Sequence, residues 1–178
     1  MKYANIKKYD IANGPGVRVS LFVSGCNHHC KGCFNSEAWD FNYGNDFTED
    51  TKKEIIEALD KDYICGLSFL GGEPMEQLNQ PTVLDLIKAV REKLPTKTIW
   101  LYSGFTFEEI KKMKNKEAME IMSNIDVLVD GKFMIDLYDP RLFFRGSSNQ
   151  RVIDMKETLK KNKVILHEKN TKEEYVVQ

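Results

Sequence analysis

Four apolar runs, each stopped by a glycine-bearing turn, constrain this chain more than any other feature. Residues 17–23 (VRVSLFV) end at Ser24-Gly25, and residues 66–70 end at Gly71-Gly72-Glu73-Pro74. Residues 98–102 end at Ser103-Gly104-Phe105, and residues 126–129 at Asp130-Gly131-Lys132. Runs of this length and composition read as strands. The segments between them have helical length and period. Residues 51–59 open with Thr51-x-x-Glu54, a capping box, and set Ile55, Ile56 and Leu59 on one face. Residues 81–93 carry Val83, Leu86, Ile87 and Val90 at helical spacing, and Pro81 suits a first turn. Thr106-x-x-Glu109 caps a charged helical region with one break before Ser123.

Strands alternating with helices predict an α/β fold, with a parallel sheet and the helices outside it. A closed eight-unit barrel takes about 250 residues. The 178 residues here therefore predict an incomplete (β/α) barrel of about five or six units, open on one side. An extended stretch at 5–11 is placed to pair with 17–23 through Asn13-Gly14-Pro15-Gly16. Residues 1–154 are expected to form the barrel domain and 155–178 a C-terminal extension. In that extension 163–167 and 174–178 flank a turn-prone Lys169-Asn170-Thr171-Lys172, a hairpin pattern.

Lys+Arg 26 against Asp+Glu 27 gives a net charge of −1, which argues against a nucleic-acid binder. No apolar run approaches the roughly 18 residues of a membrane span, and residues 1–10 lack a signal peptide's apolar core. A cytoplasmic protein without membrane attachment is expected.

In parallel β–α architectures the turns after the strands gather at the carboxyl end of the sheet, where ligand sites lie. The four motif turns should therefore converge. The first of them leads into Cys26-x-x-x-Cys30-x-x-Cys33, and Cys65 stands apart. Without an export signal, such a cluster reads as a metal or redox site before a disulfide framework. Iron–sulfur cubanes are normally held by four cysteines, one per iron, so three local ligands leave one iron open unless Cys65 supplies the fourth. The alternative is zinc, with His28 or His29 completing a Cys₃His set. Cys65 itself reads as a small buried hydrophobe opening a strand.

The cysteine spacing after one strand and Gly71-Gly72-Glu73-Pro74 after the next resemble the radical S-adenosylmethionine enzymes. The glycyl-radical-enzyme activases among them are similar over most of residues 9–154, through Asn13-Gly14-Pro15-Gly16, residues 21–26 (LFVSGC), residues 126–133 (DVLVDGKF) and residues 144–151 (FRGSSNQR). The resemblance implies a 4Fe-4S cluster on Cys26, Cys30 and Cys33, with S-adenosylmethionine chelated at the open iron. It implies reductive cleavage to a 5′-deoxyadenosyl radical, which takes hydrogen from a glycine of an anaerobic ribonucleoside-triphosphate reductase. The electron would come from an unidentified low-potential donor. On this view the cofactors carry the chemistry and no side chain is assigned a catalytic role.

The resemblance also distributes binding roles. Gly71 and Gly72 would let backbone approach the methionine moiety, and Glu73 lies by that motif, although a helix-start carboxylate explains it equally. Gly32, Cys33 and Phe34 would face the adenine, with Phe34 supplying an aromatic edge. Many family members place an aromatic residue where Gly32 stands. Asp130 and Lys132 resemble an Asp-x-Lys pair that contacts S-adenosylmethionine, against the plainer reading of a solvated turn. Ser103 and Gly104 are lining candidates. Residues 141–151 hold two phenylalanines and three arginines, which suit either a reductase-binding surface or core closure. Two other functions stand beside this one: the same chemistry on a small molecule, and a non-enzymatic zinc-binding module.

Overall fold

The computed structural model describes residues 1–171. Among them the chain forms seven strands: β1 (Lys2–Asp10), β2 (Val17–Val23), β3 (Asn45–Asp46), β4 (Ile64–Gly71), β5 (Thr98–Ser103), β6 (Val127–Asp130) and β7 (Arg151–Asp154). It forms five α-helices: α1 (Glu49–Leu59), α2 (Gln80–Lys93), α3 (Phe107–Met113), α4 (Lys116–Asn124) and α5 (Met155–Lys161). The strands make one sheet in the order β3-β1-β2-β4-β5-β6-β7.

Only β2, β4, β5 and β6 are mutually parallel. At the flanks β1 runs antiparallel to β2, β3 to β1, and β7 to β6. This corrects the expectation of five or six parallel β/α units, because the sheet is mixed; its open form, and the pairing of β1 with β2 as a hairpin, are as expected. The connections explain the difference. A parallel neighbour needs a crossover of a dozen or more residues, usually helical. Residues 11–16 are only a turn, and residues 131–150 contain no α-helix, so β1 and β7 return alongside their neighbours.

Side-chain alternation divides the sheet into two unlike faces. One face presents Leu21, Leu67, Phe69, Ile99, Leu101, Leu128 and Ile153 to the helices. There they meet Ile55 and Leu59 of α1, Val83, Leu86, Ile87 and Val90 of α2, and Ile121 and Met122 of α4. The helices lie side by side, α1 on α2, α2 on α4 and α4 on α5. Strands buried on both faces carry continuous apolar runs, which is why these strands stood out in the sequence.

Among the described residues the opposite face carries no α-helix. It presents Trp100, Val127, Val129 and Val152, roofed in part by Phe144. Arg18 lies on this face fully buried. Its guanidinium donates to Ser68 Oγ (2.8 Å), Thr98 Oγ1 (2.9 Å) and the carbonyls of Leu67 and Thr98, beneath the Trp100 ring. Burial pushes the Arg18 pKa down to about 10.

Two local expectations change. The α1 cap is Thr48 rather than Thr51, whose hydroxyl accepts instead from the Thr48 amide (3.2 Å). Cys65 is exposed, not buried, although Ile64 before it at the start of β4 is buried in the core. The Thr106–Glu109 capping box is present, and Lys114 at φ 52° makes the break between α3 and α4. In the extension, residue 166 bridges to Ile153 at the outer edge of β7. The second half of the expected hairpin, 174–178, lies outside the described residues.

Candidate functional site

At the carboxyl end of the parallel strands, over the helix-free face, lies a cavity of about 410 Å³. Leu70 and Tyr102 contribute from the strands, and Gly71, Gly72, Glu73, Ser103, Gly104 and Gly131 from the turns that follow them. Cys26, Cys30, Cys33 and Phe34 come from the loop after β2, and Phe133, Tyr138, Phe144 and Arg145 from the long return to β7. All four motif turns thus contribute at least one residue.

The three cysteines are free thiols, Cys26 buried and the other two partly so. Burial pushes the Cys26 thiol up to about 11 and raises that of Cys30. The loop that carries them is tied down by backbone: Gly25 N donates to Ala38 O (2.8 Å), Cys26 N to Trp39 O (3.1 Å), and Glu73 N to Gly25 O (2.8 Å). Among the described residues no His, Cys, Asp or Glu side chains converge as a site for one metal ion. A cubane asks for something different, one thiolate on each of several irons. Three free thiols around one cavity suit that donor set. Neither histidine turns toward the sulfurs as a fourth ligand. His29 stacks on Trp39 at 4.7 Å, and His28 bonds to Glu73.

Glu73 is 1% exposed and fully engaged. Its Oε1 accepts from Met75 N (2.8 Å) and Ser103 Oγ (2.9 Å), its Oε2 from Gly104 N (2.6 Å), and His28 Nε2 lies 3.0 Å from Oε2. A buried carboxylate needs such partners to stay in place. Glu73 therefore links the turns after β4 and β5 to the cysteine loop. At Gly72 a Cβ would fall 2.7 Å from Gly25 O and 2.8 Å from Ala38 O, so the protein's own backbone occupies that space.

Three expected site residues do not line the cavity. Gly32, at φ +74°, faces Ile135. Asp130 is buried with its carboxylate turned aside: Oδ2 accepts from Phe107 N at the start of α3 (2.7 Å), and Oδ1 from Arg151 Nε (2.9 Å). Lys132 is exposed, and its carbonyl accepts from Asn149 Nδ2 (2.8 Å). Phe34 is 70% exposed and forms an aromatic rim with Phe133 (5.0 Å) and Tyr138 (6.0 Å).

Residues 144–151, which the sequence marked for the family resemblance and for a surface or core role but not for this cavity, also build the site. Gln150 Oε1 accepts from Gly146 N (2.9 Å) and Ser147 N (3.1 Å), and its Nε2 donates to Gly131 O (2.9 Å), pinning the roof to the turn after β6. Phe144 packs edge-on against Trp100 at 5.3 Å, with a positive φ of 54° that a bulky side chain rarely adopts. The density of Asn, Gln, Ser and Gly at 146–150 was the available signal.

A 4Fe-4S single cluster domain family matches residues 12–153. The chain is 44% identical over 154 residues to the anaerobic ribonucleoside-triphosphate reductase-activating protein of Escherichia coli strain K12, covering 85% of this chain and 97% of that one. It is 41% identical over 152 residues to the protein of that name from Enterobacteria phage T4, covering 85% and 93%. For the Vibrio cholerae counterpart the identity is 42% over 152 residues, covering 84% and 96%.

Proposed function

Because the chain belongs to the family of anaerobic ribonucleoside-triphosphate reductase-activating proteins, with their 4Fe-4S single cluster domain, we propose that it activates such a reductase by generating a glycyl radical on it. On this reading Cys26, Cys30 and Cys33 hold a 4Fe-4S cluster, and S-adenosylmethionine occupies the cavity beside them. When bound, these groups supply reductive cleavage to a 5′-deoxyadenosyl radical, which takes a hydrogen atom from the reductase's glycine.

The chain's own residues bind, orient and shield. The loop after β2 holds the thiolates on one wall, braced by its backbone bonds to residues 38, 39 and 73. Gly71, Gly72 and Ser103 present the turns after β4 and β5 to the ligand, while Glu73 keeps those turns in register with the cysteine loop. Phe34 offers an aromatic edge at the mouth. Asp130 acts at one remove, fixing the turn that puts Gly131 in the lining. Lys132, between the lining residues Gly131 and Phe133, serves as an arm at the mouth for the ligand carboxylate. An external low-potential donor supplies the electron. No helix among the described residues is long and apolar enough to cross a membrane, and we place the reaction in the cytoplasm.

The observation that carries this proposal is that three free cysteines of one loop share a cavity with Gly71, Gly72 and Glu73. Anaerobic reconstitution tests it. About four irons and four sulfides per chain are expected, with an electron paramagnetic resonance signal that changes on S-adenosylmethionine addition. A glycyl radical should appear once the reductase is present. Stoichiometric zinc, or a loaded protein that forms no radical on the reductase, would refute it.

A further inference from the structure

Among the described residues, Arg145 enters the cavity as a cation without an anion. It stands in the return from β6 to β7, so it enters the cavity from the β6–β7 side of the strand order, while the cysteine loop enters from the β2 side. Its Nη1 donates to Gln150 O (2.6 Å) and Asn170 Oδ1 (2.7 Å). Its Nε is buried with no partner among the described residues. The neighbouring carboxylates are engaged elsewhere: Asp139 pairs with Arg141 and Asp130 with Arg151. Burial lowers the Arg145 pKa, and no acid among the described residues offsets its desolvation. A guanidinium left this way carries unmet donors in a fixed planar fork that suits carbonyl and carboxylate oxygens.

Its setting is held from two sides. Phe144, in its left-handed conformation, turns the chain so that residues 144 and 145 both line the cavity. Asn170 anchors the other side, because its Oδ1 also accepts from Val152 N of β7 (2.9 Å). The family match ends at residue 153, so Asn170 belongs to a segment beyond it.

We propose that Arg145 receives an acceptor oxygen, carbonyl or carboxylate, of the reductase's glycine-bearing segment, and that Asn170 is the positioning residue that holds the guanidinium for it. The inference rests on the activating function proposed above. The cysteine loop and the Gly71–Glu73 turn take the small ligand at the other end of the strand order. Leu142, Phe144 and the half-exposed Tyr138 line the cavity along with Arg145, all from the return to β7, so this wall offers apolar surface beside the guanidinium to an incoming chain. A partly buried charged donor gives such a chain orientation as well as affinity.

Two variants, Arg145→Met and Asn170→Ala, test the inference in the full chain. Reductase affinity is read by calorimetry with cluster-free and cluster-loaded protein, S-adenosylmethionine affinity with loaded protein, and Tm with both. Arg145→Met should weaken reductase binding about tenfold in both forms, while S-adenosylmethionine affinity moves less than about twofold. Arg145→Lys should recover only part, since an ammonium lacks the planar fork. Asn170→Ala should shift reductase affinity in the same direction, by about threefold. Unchanged reductase affinity in folded Arg145→Met would overturn the proposal, and so would a loss confined to S-adenosylmethionine binding. Should Arg145→Met fail to fold, unchanged reductase affinity in Asn170→Ala with native Tm overturns it instead. Failure of the unmodified protein to bind the reductase at all would remove the activating function and this inference with it.

Discussion

His28 reaches from the cysteine loop to the turn after β4, its Nε2 3.0 Å from Oε2 of the buried Glu73. The ring has room because residue 104 lacks a side chain: a Cβ there would lie 2.4 Å from His28 Cδ2. The other ring contact is Phe105, edge-on at 4.3 Å. One imidazole thus couples three turns from different strands. Gly104→Ala should displace the ring and leave Glu73 a partner short, costing about 1–3 kcal/mol in urea denaturation of the cluster-free protein. His28→Ala should cost a similar amount, and the double variant little more than either, because both remove one contact. Additive losses would show that His28 and Gly104 act separately.

The cysteines divide by position. Cys30 lines the cavity, whereas Cys65 is exposed at the start of β4, the strand whose far end, Gly71, reaches the cavity. Cys30→Ala should abolish S-adenosylmethionine cleavage and lower iron content while the circular dichroism stays native. Cys65→Ala should keep close to four irons per chain. Loss of the cluster in Cys65→Ala would mean a fourth protein ligand, and the open iron would have to be abandoned.

The parallel core was legible because β2, β4, β5 and β6 are covered on both sides, and continuous apolar runs are conspicuous in any sequence. The flanks were harder. β1 carries Lys2, Lys7, Lys8 and Asp10 among its apolar residues, and β7 is four residues long with a charge at each end. The turn at residues 13–16 did mark the hairpin of β1 with β2, but the antiparallel return of β7 follows from a 131–150 connection without an α-helix, which apolar pattern does not report. The same contrast holds at the site. Cys26, Cys30 and Cys33 are local in sequence, as are Gly71, Gly72 and Glu73, so spacing exposed them. The orientation of Asp130 depends on Arg151, 21 residues away, and on the start of α3. Arg145 gains its meaning from what surrounds it, including Asn170, and no motif records that.

Tyr102 Oη is buried without a hydrogen-bond partner among the described residues, next to the cavity it helps to line. Burial drives its pKa well above the usual phenol value, with Arg18 opposing and Asp10 adding to the shift. A raised folded pKa leaves stability intact below the unfolded phenol's value of about 10 and erodes it as pH climbs from there toward the folded value. The cluster-free protein should lose up to about 1.4 kcal/mol per pH unit above that point from this group. Tyr102→Phe should remove that component of the alkaline limb and gain about 1 kcal/mol at pH 7, since an unpaired buried hydroxyl disappears. Denaturation at pH 7 and pH 11 compares the two proteins. Parallel alkaline losses would show that the hydroxyl is solvated or bonded.

The extension supports the last strand rather than the cysteine loop. Asp154 N donates to Ile165 O (2.9 Å) and His167 N to Val152 O (2.8 Å), so these residues satisfy the outer edge of β7. His167 also packs edge-on against Trp100 at 5.5 Å, and Val164 packs against the aliphatic core. Truncation after Asn162 removes these contacts and strips Val152 N of its Asn170 acceptor. The expected result is a loss of about 2–4 kcal/mol and a greater tendency to self-associate through the bared edge. Iron content per folded chain should not change, because all three proposed ligands lie in the loop after β2, separated from β7 by β4, β5 and β6 in the strand order. Melting temperature, sedimentation and iron analysis on one truncated preparation measure all three. A truncation that stays folded and monomeric but takes up no iron would show that the extension reaches the cluster wall.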